Sequence, residues 1–127
     1  MLSLVLLIPF LSFAAAENGL AAWLRYAAVK QPGSYVSSLP SSIVALNASV
    51  GSPVHTAGME LQKGILDIFS KTTTLGHTKQ AASSSLVIGT VAEYTKAYGA
   101  LQSPPELIED GFWLDTKSSP IQILALN

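Results

Sequence analysis

The chain has 127 residues, 7 basic against 8 acidic side chains for a net charge of −1, and no cysteine. That length excludes an eight-fold β/α barrel, which needs about 200 residues. The even charge balance offers no field for nucleic acid and no polybasic patch for a membrane, and the missing thiols remove disulfides, thiolate metal ligands and a cysteine nucleophile.

Leu2 to Phe13 are apolar except for Ser3, Pro9 and Ser12, and Ala14-Ala15-Ala16 precede the first charge, Glu17. A short apolar stretch followed by small residues reads as a secretory leader over residues 1–16, cleaved between Ala16 and Glu17. A spanning helix needs about 20 apolar residues, and Glu17 comes too soon for that. Pro9 argues against a buried N-terminal helix. The reading therefore predicts a secreted, extracellular domain over 17–127. In that setting Asn47-Ala48-Ser49 is a candidate N-glycosylation site at Asn47.

Leu20 to Ala28 has strong helix formers with Leu20, Trp23, Leu24 and Ala27 on one face, which predicts a helix. Gln31 to Leu39, rich in serine with Pro32 and Gly33, reads as a loop. Ser42 to Leu46 is a short apolar run and a buried strand. Ser52 can cap a following helix whose first turn accepts Pro53, and Ala57, Leu61, Ile65 and Ile68 recur near a 3.6 period through Lys71. Glu60, Lys63, Asp67 and Lys71 fall on the opposite side, a solvated face of alternating sign rather than an acid/base cluster.

Residues 72–83 read as a polar loop, with Thr72 to Leu75 open as a strand extension. Ser85 to Ile88 is a second buried strand, after which Gly89 and Thr90 turn the chain into a helix. Thr90 and Glu93 stand at capping-box spacing, and Gly99 is placed to stop the helix. Beyond the Pro104-Pro105 turn, Phe112 to Thr116 and Ile121 to Leu126 flank Lys117-Ser118-Ser119-Pro120 as an antiparallel hairpin. This order predicts an α+β fold, a mixed β-sheet flanked by helices. A last strand this apolar needs both faces covered, so the stop at Asn127 predicts a domain incomplete at its C-terminus.

His55 and His77 lack partners at metal-ligand spacing, so they read as surface histidines and no metal is expected. No Gly-x-Ser-x-Gly elbow or phosphate-binding glycine motif occurs. Glu106, Glu109, Asp110 and Asp115 are the densest acids. A glycosidase places two carboxyl groups across a sugar, about 5 to 9.5 Å apart; these four share one loop and its strand with nothing opposite. No catalytic residue is assigned and no cofactor is expected. Trp23, Tyr26 and Trp113 could stack on sugar rings in a carbohydrate-binding module, although single aromatics in apolar runs more often belong to a core.

Several blocks together carry a resemblance: Glu17-Asn18-Gly19-Leu20-Ala21-Ala22-Trp23-Leu24-Arg25-Tyr26, Leu39 to Asn47, Thr56 to Ile65, Ser84 to Thr90, and Leu107-Ile108-Glu109-Asp110-Gly111-Phe112-Trp113-Leu114. In order and spacing they resemble the N-terminal domain of fungal secreted alpha-glucuronidases. The resemblance implies a non-catalytic domain similar to the N-terminal domain of beta-hexosaminidases. It also implies a catalytic β/α barrel following in the same chain, and inverting removal of (4-O-methyl)glucuronic acid from xylo-oligosaccharides without a cofactor. The family continues past the last strand with an Arg-Gly segment and a helix, where this sequence has Ala125-Leu126-Asn127. The resemblance therefore implies a truncated domain, inactive alone.

Overall fold

The computed structural model describes residues 26–77, 81–101, 106–108 and 110–126. The leader over 1–16, Trp23 and Glu109 lie outside the described residues, as does the expected helix as far as Arg25. In chain order the elements are α1 (Tyr35–Ser38), β1 (Ser42–Ala45), α2 (Pro53–Phe69), β2 (Thr74–Gly76), β3 (Ser85–Thr90), α3 (Val91–Tyr98), β4 (Phe112–Asp115) and β5 (Ile121–Ala125).

The apolar runs become the interior of one five-stranded sheet of order β2-β1-β3-β5-β4. β1, β2, β3 and β5 are parallel, and β4 alone runs antiparallel on the edge of β5. The sheet is thus mixed, as an α+β reading requires. β3 is buried along Ser85 to Gly89 because helices cover both of its faces, which is why it reads as an unbroken apolar run rather than an alternating one. Ile43, Ala45, Leu86 and Ile88 form the centre of the core on one face; Val54, Ala57, Leu61 and Ile65 of α2 pack onto it with Leu75, Ile121 and Ile123. By strand alternation Val44, Val87 and Leu124 point to the other face, where α3 rests on β3 and β5.

Local chemistry sets the helix boundaries. The Ser52 hydroxyl accepts the His55 backbone N–H at 3.1 Å, and Pro53 occupies the first turn. In α3 the Thr90 hydroxyl accepts from Glu93 N–H at 3.1 Å while the Glu93 carboxylate accepts from Thr90 N–H at 2.9 Å, so two free amides are satisfied reciprocally. Gly99, at φ 94°, ends the helix.

Several expectations shift. The loop expected over 31–39 contains the single turn α1, and α2 stops at Phe69 rather than Lys71. The Lys71 ammonium instead donates to the Val36 and Leu39 carbonyls at 3.0 and 2.6 Å, tying that loop down. Within 72–83 the strand left open over Thr72 to Leu75 forms, displaced to Thr74–Gly76, as the edge strand β2 in register with β1 from Ser42↔Thr74 to Val44↔Gly76. The Gln62 amide holds its start by donating to Thr73 O at 2.6 Å. β3 runs two residues past Ile88 because Gly89 and Thr90 pair with Leu124 and Ala125 of β5. Tyr26 to Ala28, expected at the end of a helix, have no regular secondary structure. Tyr26 is held by α2 instead, its hydroxyl donating to the Glu60 carboxylate at 3.1 Å.

Candidate functional site

In open parallel sheets a ligand crevice forms outside the carboxyl ends of adjacent strands whose helices leave to opposite faces. β1 and β3 are such neighbours: β1 leads to α2 on one face and β3 to α3 on the other. A cleft of about 360 Å³ lies there, lined by Leu46, Asn47, Ala48, His77, Glu93 and Lys96. The Asn47 side-chain oxygen accepts the Ser49 backbone N–H at 3.0 Å, an Asx turn that fixes the mouth of the cleft. The His77 Nδ1 lies 3.0 Å from the Ala45 carbonyl, and its ring stacks on His55 with centroids 5.4 Å apart.

The pairing of His55 with His77 is not legible in the sequence. One begins α2 and the other follows β2, and only the parallel register of β1 and β2 brings them together. Among the described residues the single carboxylate at the cleft, Glu93, is already engaged as the cap of α3. Among the described residues no cluster of three or more His, Cys, Asp or Glu could hold a metal ion. The cleft can offer Lys96 and the Asn47 amide to a small polar ligand, and among its described lining residues there is no facing acid pair.

The acids singled out in the sequence do not converge either. Glu106 and Asp110 are exposed, and Glu109 lies outside the described residues. Asp115 is committed to the β4–β5 turn. Its carboxylate accepts the Lys117 and Ser118 backbone N–H groups at 2.8 and 3.1 Å and the Ser118 hydroxyl. The Ser118 hydroxyl first, then those two amides, hold its pKa below the ordinary 3.8. A carboxyl kept ionised by its own turn is a structural acceptor, unsuited to donate a proton to a leaving group.

The aromatics are placed differently. Tyr26 packs its ring against α2 at Gly64, where an added Cβ would come within 3.0 Å of Cε1. Burial first, and then the bonded Glu60, raise its pKa above 10.0. Trp113 is half-buried beside Tyr94 and Gln122 on the α3 face. Among the described residues Phe112 and Tyr35 are the exposed Phe, Tyr or Trp rings. Phe112 lies in an apolar run, where an exposed aromatic looks no different from a core one, and Tyr35 lies in the serine-rich stretch that reads as a loop.

With this geometry in place, comparison with known proteins is informative. The family model of the glycosyl hydrolase family 67 N-terminus matches residues 22–127. The chain is 45% identical over 130 residues to alpha-glucuronidase A of Emericella nidulans, an alignment covering 100% of this chain. It is 42% identical to a probable alpha-glucuronidase A of Neosartorya fischeri, over 93% of this chain, and 40% identical to alpha-glucuronidase A of Aspergillus tubingensis, over 92%. It spans only 15%, 14% and 14% of the length of those three relatives.

Proposed function

The chain belongs to the glycosyl hydrolase family 67 N-terminal family, and from that membership we propose that it is the accessory, non-catalytic N-terminal domain of a secreted fungal alpha-glucuronidase. The observation that carries the proposal is one of proportion. The family match fills residues 22–127, yet the chain amounts to about 15% of a relative that bears the enzyme's name. The described acids agree with it, since Asp115 serves its own turn and Glu93 its own helix.

In this reading residues 1–16 are the leader, 17–127 the domain, and the partner is a catalytic barrel belonging to the same enzyme. The complete enzyme removes (4-O-methyl)glucuronic acid from xylo-oligosaccharides during xylan breakdown. The domain supports the barrel and contributes no reacting group. Asn47 carries an N-linked glycan after secretion.

The deciding experiment incubates the purified chain with an aldouronic acid and measures released glucuronic acid. No release above the buffer blank is expected, and substantial turnover would overturn the assignment of a non-catalytic role. Secretion is checked separately by intact-mass spectrometry of chain produced in a secreting yeast. A mature N-terminus at Glu17 is expected, with a mass decrease on enzymatic deglycosylation that disappears in Asn47→Gln.

A further inference from the structure

The β4–β5 hairpin builds a second, smaller pocket on the α3 face of the sheet. Among the described residues α3 packs on β3 and β5, leaving β4 to one side. The space beside it measures about 250 Å³, lined by Tyr94 and Leu101 on the α3 side and by Trp113, Asp115, Ser118 and Gln122 on the hairpin. The antiparallel register explains the gathering. Asp115 lies directly opposite Gln122 and Trp113 opposite Leu124, so these side chains share one face.

Gln122 is the unusual member. It is 7% exposed, and its Oε1 is buried with no hydrogen-bond partner among the described residues. Buried polar atoms are nearly always paired, so one that is not points to a further partner. A carboxamide can turn over and exchange its oxygen and nitrogen, so the partner has to serve as donor or acceptor. A hydroxyl does both.

Asp115 narrows the class further. Its carboxylate already holds the Lys117 and Ser118 N–H groups on Oδ1 and the Ser118 hydroxyl on Oδ2. An ionised carboxylate has about four acceptor sites, so Oδ2 keeps one for a ligand hydroxyl. The lowered pKa leaves it charged at neutral pH, and among the described lining residues no cation offsets it. An anionic ligand is therefore repelled. Trp113 and Tyr94 add flat apolar surface, on which the C–H face of a sugar ring can rest. The volume falls below the roughly 300–1,000 Å³ of sites for larger organic ligands, which suits a single ring.

We propose that this pocket binds one neutral pyranose ring through its hydroxyl groups, with Gln122 and Asp115 as polar contacts and Trp113 as platform. The site goes beyond the accessory role, and its failure would leave that role intact. The acidic sugar that the complete enzyme would release is disfavoured here by the Asp115 charge.

The test titrates the isotopically labelled secreted chain with methyl β-D-xylopyranoside, a neutral pyranose, and separately with sodium glucuronate at matched ionic strength. Side-chain N–H signals are followed by NMR. Saturable shifts of the Trp113 indole and Gln122 carboxamide are expected with the pyranoside and none with glucuronate. Gln122→Leu, close in volume and without the unpaired atom, should weaken binding about tenfold while its urea midpoint equals or exceeds the parent's. Should that variant fail to fold, Trp113→Phe, with a smaller ring face, should weaken binding severalfold, read at Gln122. No saturable shift at either signal, equal binding of glucuronate, or unchanged affinity in the folded variant overturns the proposal.

Discussion

Gly89 marks a close approach of β3 to the β1–α2 connection. A Cβ built on it would lie 2.7 Å from Leu46 Cδ1 and 2.9 Å from Leu46 Cβ, and the second atom cannot swing away because it is fixed to the β1–α2 connection. Gly89→Ala should therefore cost about 1–3 kcal/mol, the usual penalty of overpacking a filled site. Combining it with Leu46→Ala should cost less than the sum of the two single variants. Urea unfolding of the four proteins measures both effects, and full additivity would show that the contact is absent in solution. Asp115 gives a pH dependence of definite sign. Its folded pKa is lowered, so its contribution to stability is complete above the unfolded value of 3.8 and is lost as pH falls below 3.8 through the folded value. Asp115→Asn should melt below the parent at neutral pH and converge with it at the acid end. A gap that stays constant down to pH 2 would mean that the side chain acts without its charge.

Among the elements, α3 shows what local sequence can specify. It has only eight residues, too short to stand alone in water, yet both of its ends are written into neighbouring residues: the Thr90/Glu93 box at one and Gly99 at the other. Thr90→Ala should lower stability by about 1 kcal/mol, measured by urea denaturation, with faster amide exchange through Val91 to Tyr98 as the local sign. β2 is the opposite case. Thr72 to Leu75 leave a strand open without fixing it, and the bounds Thr74–Gly76 are set because β1 accepts the segment in register and Gln62 anchors Thr73. Those determinants come from elements far away in sequence, so a window of neighbours cannot contain them. The same reasoning covers Tyr26, a good residue for the expected helix whose hydroxyl finds Glu60 across the fold instead.

At the scale of the whole molecule, the fold class was legible because the runs at Ile43, Leu86 and Ile123 are apolar enough to demand an interior, and the helices between them show a clear periodicity. The cleft was not legible. It arises from strand order and from helices departing to opposite faces, which bring together three stretches far apart in sequence: Leu46 to Ala48, His77, and Glu93 with Lys96. Family membership was within reach only because several blocks kept their order together; the acids taken singly gave no site, and Asp115 serves its own turn.

β5 is synthesised after every other strand described, yet it sits between β3 and β4 rather than at a border. During translation β1, α2, β2, β3 and α3 emerge first, with β3 presenting unpaired amides and carbonyls until the β4–β5 hairpin leaves the ribosome. A nascent intermediate with an open, greasy border of that kind invites pairing with other chains. High-level expression should thus favour inclusion bodies most when elongation pauses between Tyr98 and Ile121, and synonymous codons that speed this stretch should raise the soluble yield.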